Sequence, residues 1–153
     1  MELRTVANGA DLDTVRDLFR EYEAQIGVDL CFQNFAAELA GLPGEYVPPT
    51  GTLLVAVENG AIAGCVAAHR WDATSCEMKR LFVRPGFQGC GMGRGLTNAV
   101  ITWARDHGYA RVLLDTLPSM RSAQRMYEHL GFRDTEPYRP NPVEGTRYMA
   151  LTL

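Results

Sequence analysis

A glycine-rich segment, residues 83–96, lies between an apolar, strand-like stretch and an amphipathic helix. Glycine occurs at positions 89, 91, 93 and 95, so the backbone can approach a ligand closely and adopt positive φ angles. The first N–H groups of a helix have no partner within the helix and bind anions. Apolar side chains at positions 96, 99, 100, 103 and 104 indicate that helix, and Gly108 is placed to end it. The segment therefore predicts a turn that binds phosphate.

Two common phosphate-binding motifs fit this segment poorly. A Walker loop needs Lys followed by Ser or Thr after its last glycine, where this chain has Arg94 and Gly95. A dinucleotide fingerprint needs Gly-x-Gly-x-x-Gly, and the repeat that starts at Gly89 has no glycine at position 94. A nucleoside triphosphatase and a dinucleotide-dependent enzyme are therefore both disfavoured.

Residues 88–93, QGCGMG, resemble the coenzyme A pyrophosphate loop of the GNAT (GCN5-related) N-acetyltransferases, whose motif is Gln/Arg-x-x-Gly-x-Gly/Ala. The flanking segments support this resemblance. Residues 77–85, EMKRLFVRP, look like the fourth strand of that family, and residues 123–132, AQRMYEHLGF, look like its last helix. The resemblance is clear from about residue 53 to residue 132. It implies a GNAT-like fold and acetyl-CoA as the cofactor, with coenzyme A as the product.

Hydrophobic periodicity along the chain predicts short strands that alternate with helices. The pair Asn59-Gly60 joins two apolar runs and is the strongest hairpin signal. Strands are predicted at 3–6, 52–58, 61–70, 76–83, 112–115, 132–135 and 147–153, and helices near 11–22, 32–39, 94–107 and 120–130. This order predicts an α/β fold, a mixed and mostly antiparallel central sheet flanked by helices, as the resemblance implies. We expect a single GNAT-like domain over residues 1–153.

Composition and charge limit which binding partners and which cellular compartment we expect for this protein. The net charge is -3 and no block of basic residues occurs, which disfavours a nucleic-acid surface. The four cysteines lack paired metal spacing, so we expect reduced thiols and no metal site. We find no signal peptide and no apolar run of membrane-spanning length, and we expect a cytoplasmic protein without a membrane partner. A homodimer is left open.

The resemblance implies two sets of cofactor contacts. The end of the predicted fourth strand would offer main-chain N–H and C=O groups to the pantetheine arm, as if the arm were an added strand. The glycine-rich turn and the start of the next helix would hold the pyrophosphate. The strand residues are Leu81, Phe82 and Val83, and the turn residues are Gln88, Gly89, Cys90, Gly91, Met92, Gly93 and Arg94.

Acetyl transfer to an amine requires that the amine lose a proton, because only the neutral form attacks the thioester. Glu77 is the candidate base, since the resemblance places its strand beside the thioester. Strand alternation predicts that Glu77, Lys79 and Leu81 share one face. A carboxylate that only pairs with a basic neighbour explains Glu77 equally well.

The departing coenzyme A thiolate needs a proton, and a nearby hydroxyl can supply it. Tyr127 matches the tyrosine that has this role in the family, although its place in an apolar helix stripe also fits a core residue. The family often has Asn seven residues before this tyrosine, where the chain has Met120. Ser119 or Ser122 would replace the hydrogen bond of that Asn, or Ser119 would cap the helix.

The acceptor would lie between residues 22–47 and the loop 136–146. A small-molecule amine, an amino acid and a protein amine all stay open as acceptors. A second class of function is a non-catalytic acyl-CoA-binding sensor or interaction module on the same fold. The presence of both Glu77 and Tyr127 favours the enzyme.

Overall fold

A computed structural model describes residues 1–153, apart from the side chain of Phe32. The elements in chain order are β1 (Glu2–Thr5), α1 (Gly9–Ile26), a 3₁₀ helix (Leu30–Gln33), α2 (Phe35–Gly41), β2 (Thr52–Glu58), β3 (Ala61–Arg70), β4 (Ser75–Val83), α3 (Met92–Asp106), β5 (Arg111–Thr116), α4 (Arg121–His129), β6 (Arg133–Asp134) and β7 (Arg147–Thr152). The predicted second helix divides into the 3₁₀ helix and α2, and the side chain of Phe32, which helped to indicate it, lies outside the described residues. No helix in this part of the chain is both long enough and apolar enough to cross a membrane.

The strands form one seven-stranded sheet in the order β1-β2-β3-β4-β5-β7-β6. Every neighbouring pair is antiparallel except β4 and β5, which are parallel. The predicted mixed, mostly antiparallel sheet is therefore confirmed. Asn59 and Gly60 both have positive φ, 53° and 80°, as a two-residue hairpin of matching twist requires.

Helices cover both faces of the sheet, and each face has its own apolar cluster. Helix α3 contributes Leu96 and Val100 to one cluster, whereas α1 contributes Leu18 and Phe19 to the other. The periodic apolar stripes of these helices explain why they pack on the sheet, since one side of each helix can be buried. The two layers leave the ends of β4 and β5 accessible between them.

The parallel pairing of β4 with β5 is short, and the candidate site lies where this pairing ends. Ser75–Glu77 pair with Arg111–Leu113, and the ladder ends there. The rest of β4 pairs with β3 only, so the edge of β4 that faces β5 is open beyond Glu77 within the described structure. A notch therefore opens between the two strands. Unpaired strand edges are sites where an extended ligand can add as a further strand.

A β-bulge in β4 makes one prediction from the sequence wrong. The register between β3 and β4 shifts at Cys65 to Ala67, and Arg80 has a φ of 61°. A bulge inserts an extra residue and reverses the alternation beyond it. Leu81 consequently packs with the α3 cluster, on the opposite face from Glu77 and Lys79. The expectation that Glu77, Lys79 and Leu81 share one face is wrong for Leu81.

Candidate active site

The glycine-rich turn connects β4 to α3 in the conformation that its glycines allow. Gly89 and Gly91 have φ of 83° and 86°, in the left-handed region where other residues are strained. Gly91 is the N-cap residue of α3. The Gln88 side-chain amide donates a hydrogen bond to the Val83 carbonyl at 2.9 Å and ties the turn to the strand. The first N–H groups of α3 are thus presented at a turn with little side-chain cover.

An open cleft of about 730 Å³ extends from this turn along β4 to the start of α4. Most of the predicted cofactor residues line it, namely Leu81, Phe82, Val83, Gln88, Gly89, Gly91, Met92, Gly93 and Arg94. Cys90 does not line the cleft among the described residues, because its thiol turns back and donates to the Phe87 carbonyl at 2.7 Å. Ser119, Arg121 and Ser122 form the opposite wall.

The cleft has the chemistry that a coenzyme A molecule requires. An added Cβ at Gly93 would contact only the Val83 side chain, at 3.9 Å, so the glycine leaves the approach to the turn free. The start of α3 and the cations Arg94 and Arg121 line the cleft, and both helix N–H groups and guanidinium groups bind phosphate. The open edge of β4 supplies main-chain groups for an extended arm. Arg84, by contrast, lies outside this wall and pairs with Glu21 at 2.9 Å.

The notch between β4 and β5 is a small cavity of about 40 Å³ at the inner end of the cleft. Lys79, Asp115 and Tyr127 line it, and Leu81 and Met120 line both the notch and the cleft. Burial raises the pKa of Tyr127 above its usual value. Its hydroxyl therefore stays protonated at neutral pH and is available as a proton donor.

The position at which the family often has Asn carries Met120, and the structure supplies no direct substitute. The Met120 sulfur accepts a hydrogen bond from the Thr116 hydroxyl at 3.7 Å. Ser119 and Ser122 line the cleft rather than the notch. Helix α4 begins after Met120 without a side-chain cap in the described structure, so Ser119 does not cap it.

Glu77 is fully buried and its carboxylate accepts three hydrogen bonds. His69 Nε2 lies 2.8 Å from one oxygen, to which Arg139 Nη2 also donates, and the Tyr138 hydroxyl donates to the other at 2.7 Å. Burial opposes ionisation, but the His69 bond and the nearby positive charges outweigh it and hold the pKa of Glu77 below its usual range. Glu77 is absent from the walls of the notch and the cleft that the described residues form. Its assignment as the base stays a prediction, and this geometry limits it.

The lowered pKa of Glu77 predicts how its contribution to stability changes with pH. A group whose folded pKa lies below its unfolded value stabilises the fold above that unfolded value, 4.5 here, and loses the effect as the pH falls through the folded pKa. Glu77→Gln should therefore lower the free energy of unfolding at pH 7 by about 3 kcal/mol, because it leaves Arg139 buried beside a neutral partner. Urea unfolding at pH 7 and pH 4 should show the difference from the parent shrinking in acid.

Glu128→Gln is the matched control, because Glu128 pairs with Arg147 at 3.0 Å on the surface. That variant should change the free energy of unfolding by less than about 1 kcal/mol at pH 7. A Glu77→Gln variant as stable as this control would contradict the network described for Glu77.

Three polar residues near the notch were not singled out as site residues from the sequence. Burial and the charge of Arg80 lower the pKa of Lys79 to about 8. Burial and the charge of Glu77 raise the pKa of Asp115. His69 lies near the end of β3 and holds Glu77. The available signal was that charged residues interrupt the apolar β4 and β5 strands that border the notch.

A second cavity, of about 350 Å³, lies on the far side of the notch, and we call it the acceptor cavity. Both segments that the sequence predicted around the acceptor contribute to it: α2 with the loop after it, and the loop that carries Arg139. Gln33 and Lys79 line both the notch and the acceptor cavity, so the two spaces adjoin. Its polar wall residues are Gln33, Asn34, Glu38, Glu45, Tyr46, His69, Lys79 and Arg139.

Comparison with known protein families agrees with this geometry. The Acetyltransferase (GNAT) family profile matches residues 12–132, which is most of the chain. The chain belongs to the GNAT acetyltransferase family. An uncharacterised N-acetyltransferase of Schizosaccharomyces pombe is 43% identical over 145 residues, covering 94% of this chain and 89% of that protein. GNAT acetyltransferases use acetyl-CoA as the acetyl donor.

Further relatives and solved structures extend this result. The N-acetylaspartate synthetase of Danio rerio is 37% identical over 106 residues, 66% of this chain but only 38% of that protein. A GNAT acetyltransferase of Staphylococcus aureus has a TM-score of 0.79 at 19% identity, with 99% of both chains covered. A GNAT acetyltransferase of Elizabethkingia anophelis, solved with acetyl-CoA bound, has a TM-score of 0.59 at 28% identity, with 68% of this chain and 77% of that chain covered.

Proposed function

We propose that this GNAT protein is an acetyl-CoA-dependent N-acetyltransferase that moves the acetyl group to a primary amine by direct attack. The proposal rests on the observation that the cleft, the notch and the acceptor cavity adjoin one another. The cleft that begins at the glycine-rich turn shares Leu81 and Met120 with the notch, and the notch adjoins the acceptor cavity through Lys79. The acetyl-CoA bound in the Elizabethkingia relative supports the same donor here. A donor and an acceptor can thus meet at the notch.

Bound acetyl-CoA supplies an acyl carbonyl that is activated by its thioester. The turn residues Gln88–Gly93 and Arg94 would hold the pyrophosphate, and the main chain of Leu81, Phe82 and Val83 would hold the pantetheine arm. Tyr127 would donate its hydroxyl proton to the departing thiolate, which its place in the notch supports.

The acceptor amine must pass a proton to a base, and two carboxylates are candidates. Glu77, the sequence candidate, already accepts three hydrogen bonds, and its lowered pKa makes it a weak base. We assign it to holding His69 and Arg139 in place. Asp115 lines the notch, and its raised pKa suits proton uptake better. Asn141 donates to one Asp115 oxygen at 3.3 Å, which orients the carboxylate.

The first experiment separates the enzyme from the binding module. Acetyl-CoA should raise the melting temperature by binding the native state, and a panel of amines should release free coenzyme A, measured as new thiol. The panel should contain amino acids, polyamines and peptides with a free N-terminus or lysine. Stabilisation by acetyl-CoA without transfer to any amine would favour the alternative, an acyl-CoA-binding sensor.

Asp115→Asn tests the assignment of the base. The substitution should lower kcat by about 100-fold near neutral pH, with a smaller loss at high pH, where more of the amine is already neutral. The KM for acetyl-CoA should stay the same, because the base acts only on the acceptor. Steady-state kinetics from pH 6 to pH 10 give the result. Asp134→Asn, an exposed carboxylate paired with Arg147 at 2.8 Å, is the control. Loss of kcat in Glu77→Gln but not in Asp115→Asn would restore Glu77 as the base.

A further inference from the structure

Three buried side-chain atoms in the described part of the chain have no hydrogen-bond partner: Gln33 Oε1, His69 Nδ1 and Arg139 Nε. All three residues line the acceptor cavity. A buried polar atom without a partner costs free energy, and native proteins keep few of them. Their concentration in one cavity indicates that a polar ligand completes their bonding.

The charges around this cavity favour an anionic group. Lys79 is the only lysine of the chain, and it forms no ion pair within 4.0 Å among the described residues. Arg139 uses Nη2 for Glu77, which leaves its Nε directed elsewhere. Both oxygens of Glu38 are taken by Arg80, at 2.9 and 3.0 Å. Lys79 thus faces the cavity without an ion pair, and Arg139 keeps an unpartnered Nε there beside its bond to Glu77. A buried donor without a partner costs free energy.

The other two atoms without a partner are His69 Nδ1 and Gln33 Oε1. Glu77 is ionised and can only accept, so His69 Nε2 carries the proton that joins them, and Nδ1 is left without a hydrogen-bond partner. The other carboxylate near Nδ1 belongs to Glu45, 3.7 Å away on a side chain that is 78% exposed. Gln33 Oε1 is a hydrogen-bond acceptor. The cavity therefore offers donors for a carboxylate together with an acceptor for an N–H or O–H group.

We propose that the acceptor is a small amine that also carries a carboxylate, such as a free amino acid, and that Lys79 and Arg139 bind this carboxylate. The proposal rests on the proposed function, since it names the acceptor class of the same site. Lys79 and Gln33 border the notch as well, so an amine next to the carboxylate reaches the notch. A polyamine or a protein lysine side chain brings no carboxylate, and it would leave Lys79 without an ion pair and Arg139 Nε without an acceptor.

Matched pairs of amines test the acceptor class. Arginine and agmatine differ only in the α-carboxylate, as do tyrosine and tyramine. The carboxylate-bearing member of each pair should have a kcat/KM about 100-fold higher, because charge-assisted bonds to a buried site are among the strong ones. Arginine amide, which keeps the α-amine but lacks the negative charge, should behave like agmatine. Equal kcat/KM values for the members of both pairs would overturn the proposal while leaving an N-acetyltransferase in place.

The single lysine allows a test that needs no catalysis. An amine-reactive reagent can modify only Lys79 and the N-terminal amine of Met1, and peptide mass spectrometry measures the two separately. Arginine or tyrosine should slow modification of Lys79 at least fivefold relative to modification of Met1, whereas agmatine and tyramine should not. Modification of Lys79 at the same rate with and without the amino acid would overturn the proposal, even if acetyl-CoA neither bound nor reacted.

The variant Lys79→Met should raise the KM for the accepted amino acid by about tenfold or more, since it keeps the length of the side chain and removes the charge. The stabilisation caused by coenzyme A alone should persist, because the pyrophosphate end of the cleft is unaltered. Arg105→Met, which removes an exposed cation from the last turn of α3, is the control. A Lys79→Met variant with the parental KM for the amino acid would contradict the carboxylate contact.

Discussion

Replacing Gly93 with aspartate is expected to weaken acetyl-CoA binding by about 100-fold or more. Gly93 lies in the first turn of α3 and lines the cleft. The added carboxylate places a negative charge where helix N–H groups and Arg94 would bind phosphate. An added Cβ meets only the Val83 side chain, at 3.9 Å, so the fold itself should tolerate the change. Isothermal titration with acetyl-CoA measures the loss directly.

Asn98→Asp is the matched control, because it adds the same charge to an exposed position on α3 outside the cleft. That variant should bind acetyl-CoA within about twofold of the parent. Gly91→Asp is a less informative substitution, since Gly91 has a φ of 86° and any side chain there is strained. If folded Gly93→Asp bound as tightly as the control, the phosphates would not lie at this turn.

Tyr127→Phe should lower kcat by about 100-fold and leave the KM for acetyl-CoA nearly the same, as expected when a group acts mainly in the transition state. The phenyl ring can keep its packing against Phe132, whose ring centroid lies 5.6 Å away. The substitution should therefore leave the fold intact. Single-turnover kinetics would show whether the acetyl-transfer step itself is slowed.

Tyr109→Phe provides the control for removal of a hydroxyl. The Tyr109 hydroxyl donates to the Thr50 carbonyl at 2.7 Å, at a place that contributes nothing to the notch. This variant should lose about 1 kcal/mol of stability and keep its kcat. A parental kcat in Tyr127→Phe would instead make Tyr127 a core residue of the apolar α4 stripe.

The site could be predicted from sequence where it is built from contiguous residues. The turn at residues 88–93 and the Asn59-Gly60 hairpin depend on local φ angles that glycine and asparagine signal directly. The apolar stripe of α3 likewise predicts which face of the helix is buried, because the helical period places residues three and four positions apart on the same face. Most of the cofactor residues predicted from these local signals line one cleft.

Only the tertiary structure decided what the carboxylates and cations do. Glu77 is joined to Tyr138 and Arg139 across 61 and 62 residues of chain, a distance over which periodicity carries no information. The bulge at Arg80 turns Leu81 to the other face, and it depends on the register with β3 rather than on β4 alone. Lys79 and Asp115 both line the notch because β4 and β5 stop pairing after Glu77 and leave a space between the strands. The sequence alone determined most of the helices and strands and the glycine-rich turn, because these follow from neighbouring residues. The acid–base network could not be predicted from the sequence, because the pKa values of its groups arise from burial and from charges that distant segments bring together.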